Sequence, residues 1–288
     1  MSENADKLRR SNIVLSIAGI LTFLVVWEVT AHVLVRFTPF STSILPSFEY
    51  IIGTSLRNLS TFYGMGGLGI GKYGAEPSYA LALLVILYHT ARTFIRIIFG
   101  FLVGTVAGIG LGLVVKASRE VSSFSSWQLQ LIRIVPQMAL IPLFIAWFGG
   151  SELGFVMFIG YGVFSALFVN TINAVNNVPP VYQKFALTLG ASKARLYRDV
   201  IIPGIIPELL GGLKVIVGQA WALSLAAEFL ASQNGLGRII ILARQRLDTG
   251  QIIIILLLYM LYAILFLKFL NWMGKSITRW KPTTESKV

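Results

Sequence analysis

Residues 13–35 read IVLSIAGILTFLVVWEVTAHVLV, and the reading of this run sets the class of the molecule. As a helix rising 1.5 Å per residue it is long enough to cross about 30 Å of hydrocarbon. The charged stretch before it, MSENADKLRRSN, leads straight into it. The apolar part is too long for a signal-peptide core, and no A-x-A cleavage site follows, so the spacing predicts a retained first transmembrane helix.

The composition extends that reading to the whole chain. Of 288 residues, 56% are hydrophobic and 12% charged, where soluble domains carry about 25% charge. The mean hydropathy is +0.76. Too little polar surface is available to cover a water-soluble globule, so lipid is the expected surroundings. A net charge of +12 would also suit nucleic acid, but the basic residues collect at the ends of apolar segments, and no basic stripe with interleaved aromatics occurs. Nucleic acid is therefore not an expected partner. Cysteine is absent and His32 and His89 are the only histidines. That leaves no disulfide, thiolate site or Cys nucleophile, and no H-E-x-x-H pair for a metalloprotease. No catalytic residue, metal ligand or resident cofactor is expected.

Five more spans are predicted, at about Phe94–Val115, Leu129–Phe148, Leu153–Ile172, Ile206–Leu230 and Ile252–Trp272. The fold class is all-α, a polytopic membrane protein with about six transmembrane helices. Residues 1–36 form the N-terminus and first helix. Residues 37–93 form an extracytoplasmic loop with the amphipathic piece PSFEYIIGTSL, and 273–288 a basic tail. One face collects Lys7, Arg9, Arg10, Lys116, Arg119, Lys184, Lys193, Arg195, Arg198, Lys275, Arg279, Lys281 and Lys287. The other has Arg36, Arg57, Lys72, Arg238, Arg244 and Arg246. The excess puts the first face, with both termini, in the cytoplasm.

Gly100, Gly104, Gly108 and Gly112 recur every four residues in the second span. Small residues at this spacing let two helix backbones approach closely. They mark either one tight crossing inside the chain or a helix that slides against a neighbour. The loop sequence GGLGIGKY at 66–73 imitates a phosphate-binding loop, but Tyr73 stands where Mg²⁺ binding needs Ser or Thr, and no buried strand precedes it. It reads as a flexible glycine-rich insertion.

A charged interruption follows the fourth span: LTLGASKARLYRDVIIPGIIPELL, residues 187–210. Pro179-Pro180 suits a helix start, and Tyr182, Phe185, Ala186 and Leu189 then share one apolar face. Gly190-Ala191-Ser192 breaks the run, Ser192 is a good N-cap for a second short helix bearing Leu196, and Pro203 is expected to end it. Two short helices meeting at a glycine corner make a knob whose apolar face needs a partner.

KFALTLGASKARLYRDVIIP resembles the cytoplasmic signature loop of the permease subunits of ABC importers. Lys184-Phe185-Ala186 stand for the opening triplet, where the family often has Glu at the first position, followed by Gly190 and the close Val200-Ile201-Ile202-Pro203. RIVPQMALIPLFIAWFGGSELGFV (133–156), AAEFLASQNGLGRII (226–240) and ILPS (44–47) are similar to the branch that imports nitrate, sulfonates, taurine, bicarbonate and related compounds. The resemblance implies a permease core over 94–272 and a coupling loop at 181–203. Phe185, Ala186, Leu189, Gly190, Ala191, Ser192, Leu196 and Pro203 would carry the ATPase contact. It also implies a second permease copy, a homodimer by expectation, two cytoplasmic ATPase subunits holding ATP and Mg²⁺, and an extracytoplasmic binding protein. The chain itself would not be an enzyme. The solute would be a small anion such as nitrate, a sulfonate, taurine, bicarbonate or an aromatic acid, a choice that Arg238, Arg244 and Arg246 weakly favour.

Ionisable residues inside spans are functional candidates. Gln219, Trp221, Ser224 and Glu228 form a stripe along the fifth span that either lines the solute pathway or, at Glu228, caps a neighbouring helix or pairs with an arginine. Glu28 is expected to help pack helices. The competing function is a stand-alone channel or secondary transporter, but no internal repeat, filter-like loop or charged ring is evident.

Overall fold

A computed structural model describes residues 2–62, 77–118, 120–124, 131 and 134–279. The described residues are helical, with no strand among them. Five helices or continuous helical runs are long and apolar enough to cross a membrane, and a shorter apolar one covers Gln137–Phe148. The glycine-rich stretch expected as an insertion falls at 63–76, outside the described residues, as do 280–288 of the basic tail.

The chain divides into two compact units, residues 1–87 with 239–256 and residues 88–238 with 257–288. In the first unit, α1 (Ser2–Val35) leaves nearly all its apolar side chains exposed from Val14 to Val35, as a lipid-facing helix does. Its few polar groups act as fasteners. Trp27 Nε1 donates to the Pro46 carbonyl at 3.0 Å, and Glu28 Oε2 accepts from Phe48 N–H at 2.9 Å. Glu28 thereby satisfies a free donor at the start of the helical stretch 48–62, in which Ile51, Leu59 and Phe62 are buried while Ile52 faces outward. Asp248 Oδ1 accepts from Ser55 Oγ at 2.7 Å and from Gln251 N–H at 3.1 Å, which joins that stretch to the start of α9 (Thr249–Ile277).

α2 begins at Tyr79 in the first unit and runs to Ala117 in the second, not from Phe94 as the hydropathy pattern predicts. His89 and Arg92 interrupt the apolar run and hide its start, yet His89, like Arg96 further along, is only 1% exposed and lies inside the fold. The predicted third span is also corrected. Its described part is broken at Pro136, whose ψ is 110°, and resumes as a 3-10 turn and then α3 (Ile141–Phe148). Proline at 136 removes a backbone donor and forces its predecessor out of helical geometry.

α4 (Glu152–Asn177) starts on Ser151, whose hydroxyl accepts from Gly154 N–H at 3.1 Å. It packs along the α2 glycine stripe. A Cβ on Gly104 would lie 2.5 Å from the Gly160 carbonyl oxygen, one on Gly108 would lie 2.9 Å from Leu167 Cβ, and Gly100 and Gly112 meet Ile159 and Thr171 as closely. The stripe is a tight crossing within the chain. α5 (Pro180–Thr188), α6 (Lys193–Leu196), α7 (Ile202–Ala231) and α8 (Leu236–Gln245) complete the set. Ile141, Phe155, Phe158, Leu223 and Ala227 form a core joining α3, α4 and α7.

The crossing is directly testable. Gly104→Ala should lose about 1–3 kcal/mol of stability by overpacking. Gly110→Ala, with nothing within 4 Å of the added carbon, should gain up to about 1 kcal/mol from helix propensity. Thermal unfolding in detergent reads both, and equal effects would deny the crossing.

Candidate functional site

The knob at 180–203 is built by local rules. α5 closes with Ala191 N–H donating to the Ala186 carbonyl at 3.1 Å and Gly190 N–H to Leu187 at 2.9 Å. That pairing places the left-handed residue at Gly190, whose φ is +79°. Ser192 Oγ then accepts from Arg195 N–H at 3.4 Å to start α6. The chain does not stop at Pro203, as expected from the sequence, but continues from Lys193 to Ala231 as one helical run. A wide π turn over Tyr197–Ile201 sits just before the proline, which falls in the first turn of α7. There the missing N–H is tolerated because the turn has already opened the ladder.

The knob's two faces differ. Leu196 and Ile201 are buried with Ala174, Val175, Val178, Ile205 and Leu209, and Ala186 packs against this core. Tyr197 donates its hydroxyl to the Lys116 carbonyl at 2.5 Å, fastening the knob to the end of α2. Outward, Phe185 is 65% and Leu189 72% exposed, with Val181, Tyr182 and Leu187 beside them. Tyr182, Phe185 and Leu189 of this face line one side of a cavity of about 540 Å³ between α5 and the adjoining ends of α4 and α7, with Asp199 and Glu208 also on its wall. Of the expected contact residues, Phe185, Leu189, Gly190 and Ser192 lie at the surface, Ala186 and Ala191 are half-buried and Leu196 is interior. Leu196 therefore supports the contact surface from beneath.

The membrane stripe is resolved in a different way. Trp221, Ser224 and Glu228 point into the chain's own core, and only Gln219 keeps partly open surface. Trp221 lies among the rings of Phe94, Tyr259 and Tyr262, with centroids 5.3, 5.4 and 6.4 Å away. Glu228 does what the second reading of the sequence allowed, since it both pairs with an arginine and caps a helix. It accepts from Arg96 Nη1 at 2.8 Å, from Gly237 N–H in the first turn of α8 at 2.8 Å, from Thr93 Oγ1 at 2.9 Å and from Tyr259 OH at 3.2 Å. Arg96 also holds Glu152 through two parallel bonds of 2.7 Å and donates to Ser232 Oγ, the Asn234 carbonyl and Asn234 Oδ1. All five guanidinium donors are used. His89 Nδ1 accepts from Gly235 N–H at 2.9 Å, and Gly235 takes φ +102° where a Cβ would strike Glu228.

This network ties α2, α4, α7 and the 232–237 turn together. Its members Thr93, Arg96, Glu152 and Tyr259 were not singled out by sequence reasoning. The one available signal was an arginine standing inside an apolar run.

Comparison with known proteins follows from this geometry. Residues 104–281 match the family model described as the binding-protein-dependent transport system inner membrane component. A putative ABC transporter permease protein of Methanocaldococcus jannaschii is 32% identical, over 82% of this chain and 80% of that protein. The taurine transport system permease protein of Escherichia coli is 30% identical over 67% of this chain and 70% of its own length. A putative aliphatic sulfonates transport permease protein of Bacillus subtilis is 26% identical over 77% and 83%. Among solved structures, an amino acid ABC transporter chain aligns with a TM-score of 0.57 at 17% identity, covering 67% of this chain and 94% of that one, a likeness of fold.

Removing the guanidinium strands the buried Glu228 carboxylate, while Glu152 stays open to solvent. Arg96→Met should cost about 3–5 kcal/mol, as for other broken buried pairs. The Arg96→Met/Glu228→Leu double variant should lose clearly less than the sum of the single losses. Unfolding midpoints of the purified variants test this, and strict additivity would mean the two side chains act independently.

Proposed function

This chain belongs to the family of binding-protein-dependent transport system inner membrane components, and from that premise we propose that it is one of two permease copies forming the solute pathway of an ATP-driven importer. The solute is a small anion of the kind named for its relatives, nitrate, a sulfonate, taurine or bicarbonate. Two cytoplasmic ATPase subunits, which hold ATP and Mg²⁺, grip the loop at 181–203, and an extracytoplasmic binding protein delivers the solute. Both termini lie in the cytoplasm, where the lysine and arginine excess directs them.

The observation that carries this reading is the knob's divided surface. Phe185 and Leu189 stand exposed on a hairpin that is otherwise capped, cored and bolted to α2. Exposed apolar side chains on a rigid, basic hairpin suit insertion into a partner's groove. Because Tyr197 holds Lys116 and Leu196 sits in the shared core, a push on the knob is delivered to α2, α4 and α7 together. That is how closure of the ATPase pair would tilt the pathway helices.

Gly190→Asp places a charge at the corner of this contact. No atom of the chain lies within 4 Å of the added carbon, but φ +79° strains any side chain there by about 1–2 kcal/mol, so the equally strained, uncharged Gly190→Ala is the reference. Association with the ATPase should weaken by on the order of 2–5 kcal/mol, as for other unpaired charges buried at an interface, and uptake should collapse. Lys193→Gln on the exposed side should lose far less. Co-purification and uptake measured together decide it, and normal values of both for Gly190→Asp would exclude the coupling role. Orientation is checked separately with single cysteines in this Cys-free chain. An impermeant thiol reagent applied to intact cells should label Ser78→Cys and spare Ser192→Cys.

A further inference from the structure

α4 and α7 each carry a polar side chain near their midpoints, and the break in the predicted third span joins them. Gln137 Nε2 donates to Ser165 Oγ at 2.7 Å, and Gln137 Oε1 accepts from Gln219 Nε2 at 2.6 Å. Ser165 Oγ in turn donates to the Gly162 carbonyl at 2.9 Å. Ser165 stands at the middle of Glu152–Asn177, about 20 Å from either end at 1.5 Å per residue. Gln219 is close to the middle of Ile202–Ala231. The pair therefore lies near the centre of a hydrocarbon layer about 30 Å thick.

Two primary amides at that depth are costly against lipid. The chain at Val135–Pro136 is non-helical and exposed, and Ala139 beside it is exposed too. Non-helical backbone at membrane depth is tolerated where it is buried in protein or lines a water-filled cavity. Next to Gln219, Gly218 has nothing within 4 Å and Ala222 is exposed. On this side α7 is open at Gly218 and Ala222, with the exposed Val215 one turn before them.

We propose that Gln137 and Gln219 form a polar, uncharged gate at mid-membrane, lining the path taken by the solute. The proposal rests on the importer reading above. The amide–amide bond bridges the broken segment, which can shift because it lacks a continuous helical ladder, and α7, which the knob moves. Parting the pair would expose amide donors and acceptors that replace water around a small hydrogen-bonding solute. With no fixed charge on either amide, the gate would let an anion pass without binding it tightly.

The test uses single cysteines at Gln137, Gln219 and Ala222 in the complex with its ATPase subunits in proteoliposomes. Leu223→Cys, at a position 2% exposed, serves as the dry control. The thiolate, which forms only where water reaches it, attacks the methanethiosulfonate sulfur and displaces methanesulfinate. The three gate thiols should react with the trimethylammonium-ethyl reagent at least about 10-fold faster than the control. Their rates should change at least about threefold between the nucleotide-free complex and that trapped with ATP and vanadate. Three positions keep the result readable if one variant fails to fold. Thiols at 137, 219 and 222 as inert as the control in both states would overturn the gate and leave the importer reading to the Gly190→Asp result. Fast labelling that ignores nucleotide would instead overturn ATP-driven gating in favour of a standing channel.

Discussion

Hydrocarbon offers no hydrogen bonds, and that constraint organises this molecule. Every polar group carried into the membrane must find its partner inside the protein or face a path filled with water. Helices answer it for the backbone. At the helix ends the answer for side chains is the Arg96 cluster, where a guanidinium uses all its donors on two carboxylates, a hydroxyl and the Asn234 side chain and carbonyl. Buried ion pairs of this kind add little net stability over an apolar core, but breaking one is expensive. Their effect here is to leave the 232–237 turn and the starts of α4 and α8 a single arrangement.

The same constraint explains where the helices touch. Lipid tails are as apolar as leucine, so burial does not drive helices together within the layer, and close packing must. The glycines of α2 bring its backbone against that of α4, with Gly104 nearest Gly160. At the water boundary the balance changes. There the knob leaves Phe185 and Leu189 exposed, while Leu196, Ile201 and Tyr197 root it in the long helices.

Helix-forming and membrane-spanning character were legible from residue 13 onward, because the composition excludes a water-soluble surface and length alone sorts spans from loops. The knob was legible too. Pro180, Gly190 and Ser192 are local signals, and the structure uses each within a few residues of its place in the chain. Where the reading of the sequence failed, the failing residues were polar ones whose partners lie far away in the chain. His89 looked like part of the loop before Phe94, so the start of α2 was placed late, and Pro203 looked like a helix stop because the π turn that absorbs it leaves no mark in the sequence.

What the sequence determined by itself was therefore everything set by neighbours along the chain: the helical class, the membrane environment, the charge bias, the capped hairpin and the glycine spacing. What only the tertiary structure decided was which face of each helix turns inward. Glu228 could have faced a pathway or an arginine, and nothing within several residues of it distinguishes the two. The choice depends on Arg96, 132 positions away in the chain. Gln137 gave no signal at all until Ser165 and Gln219 were brought beside it. Pairing energy in the membrane interior depends on distance in space, and a linear pattern contains that only where the partners are also close in sequence.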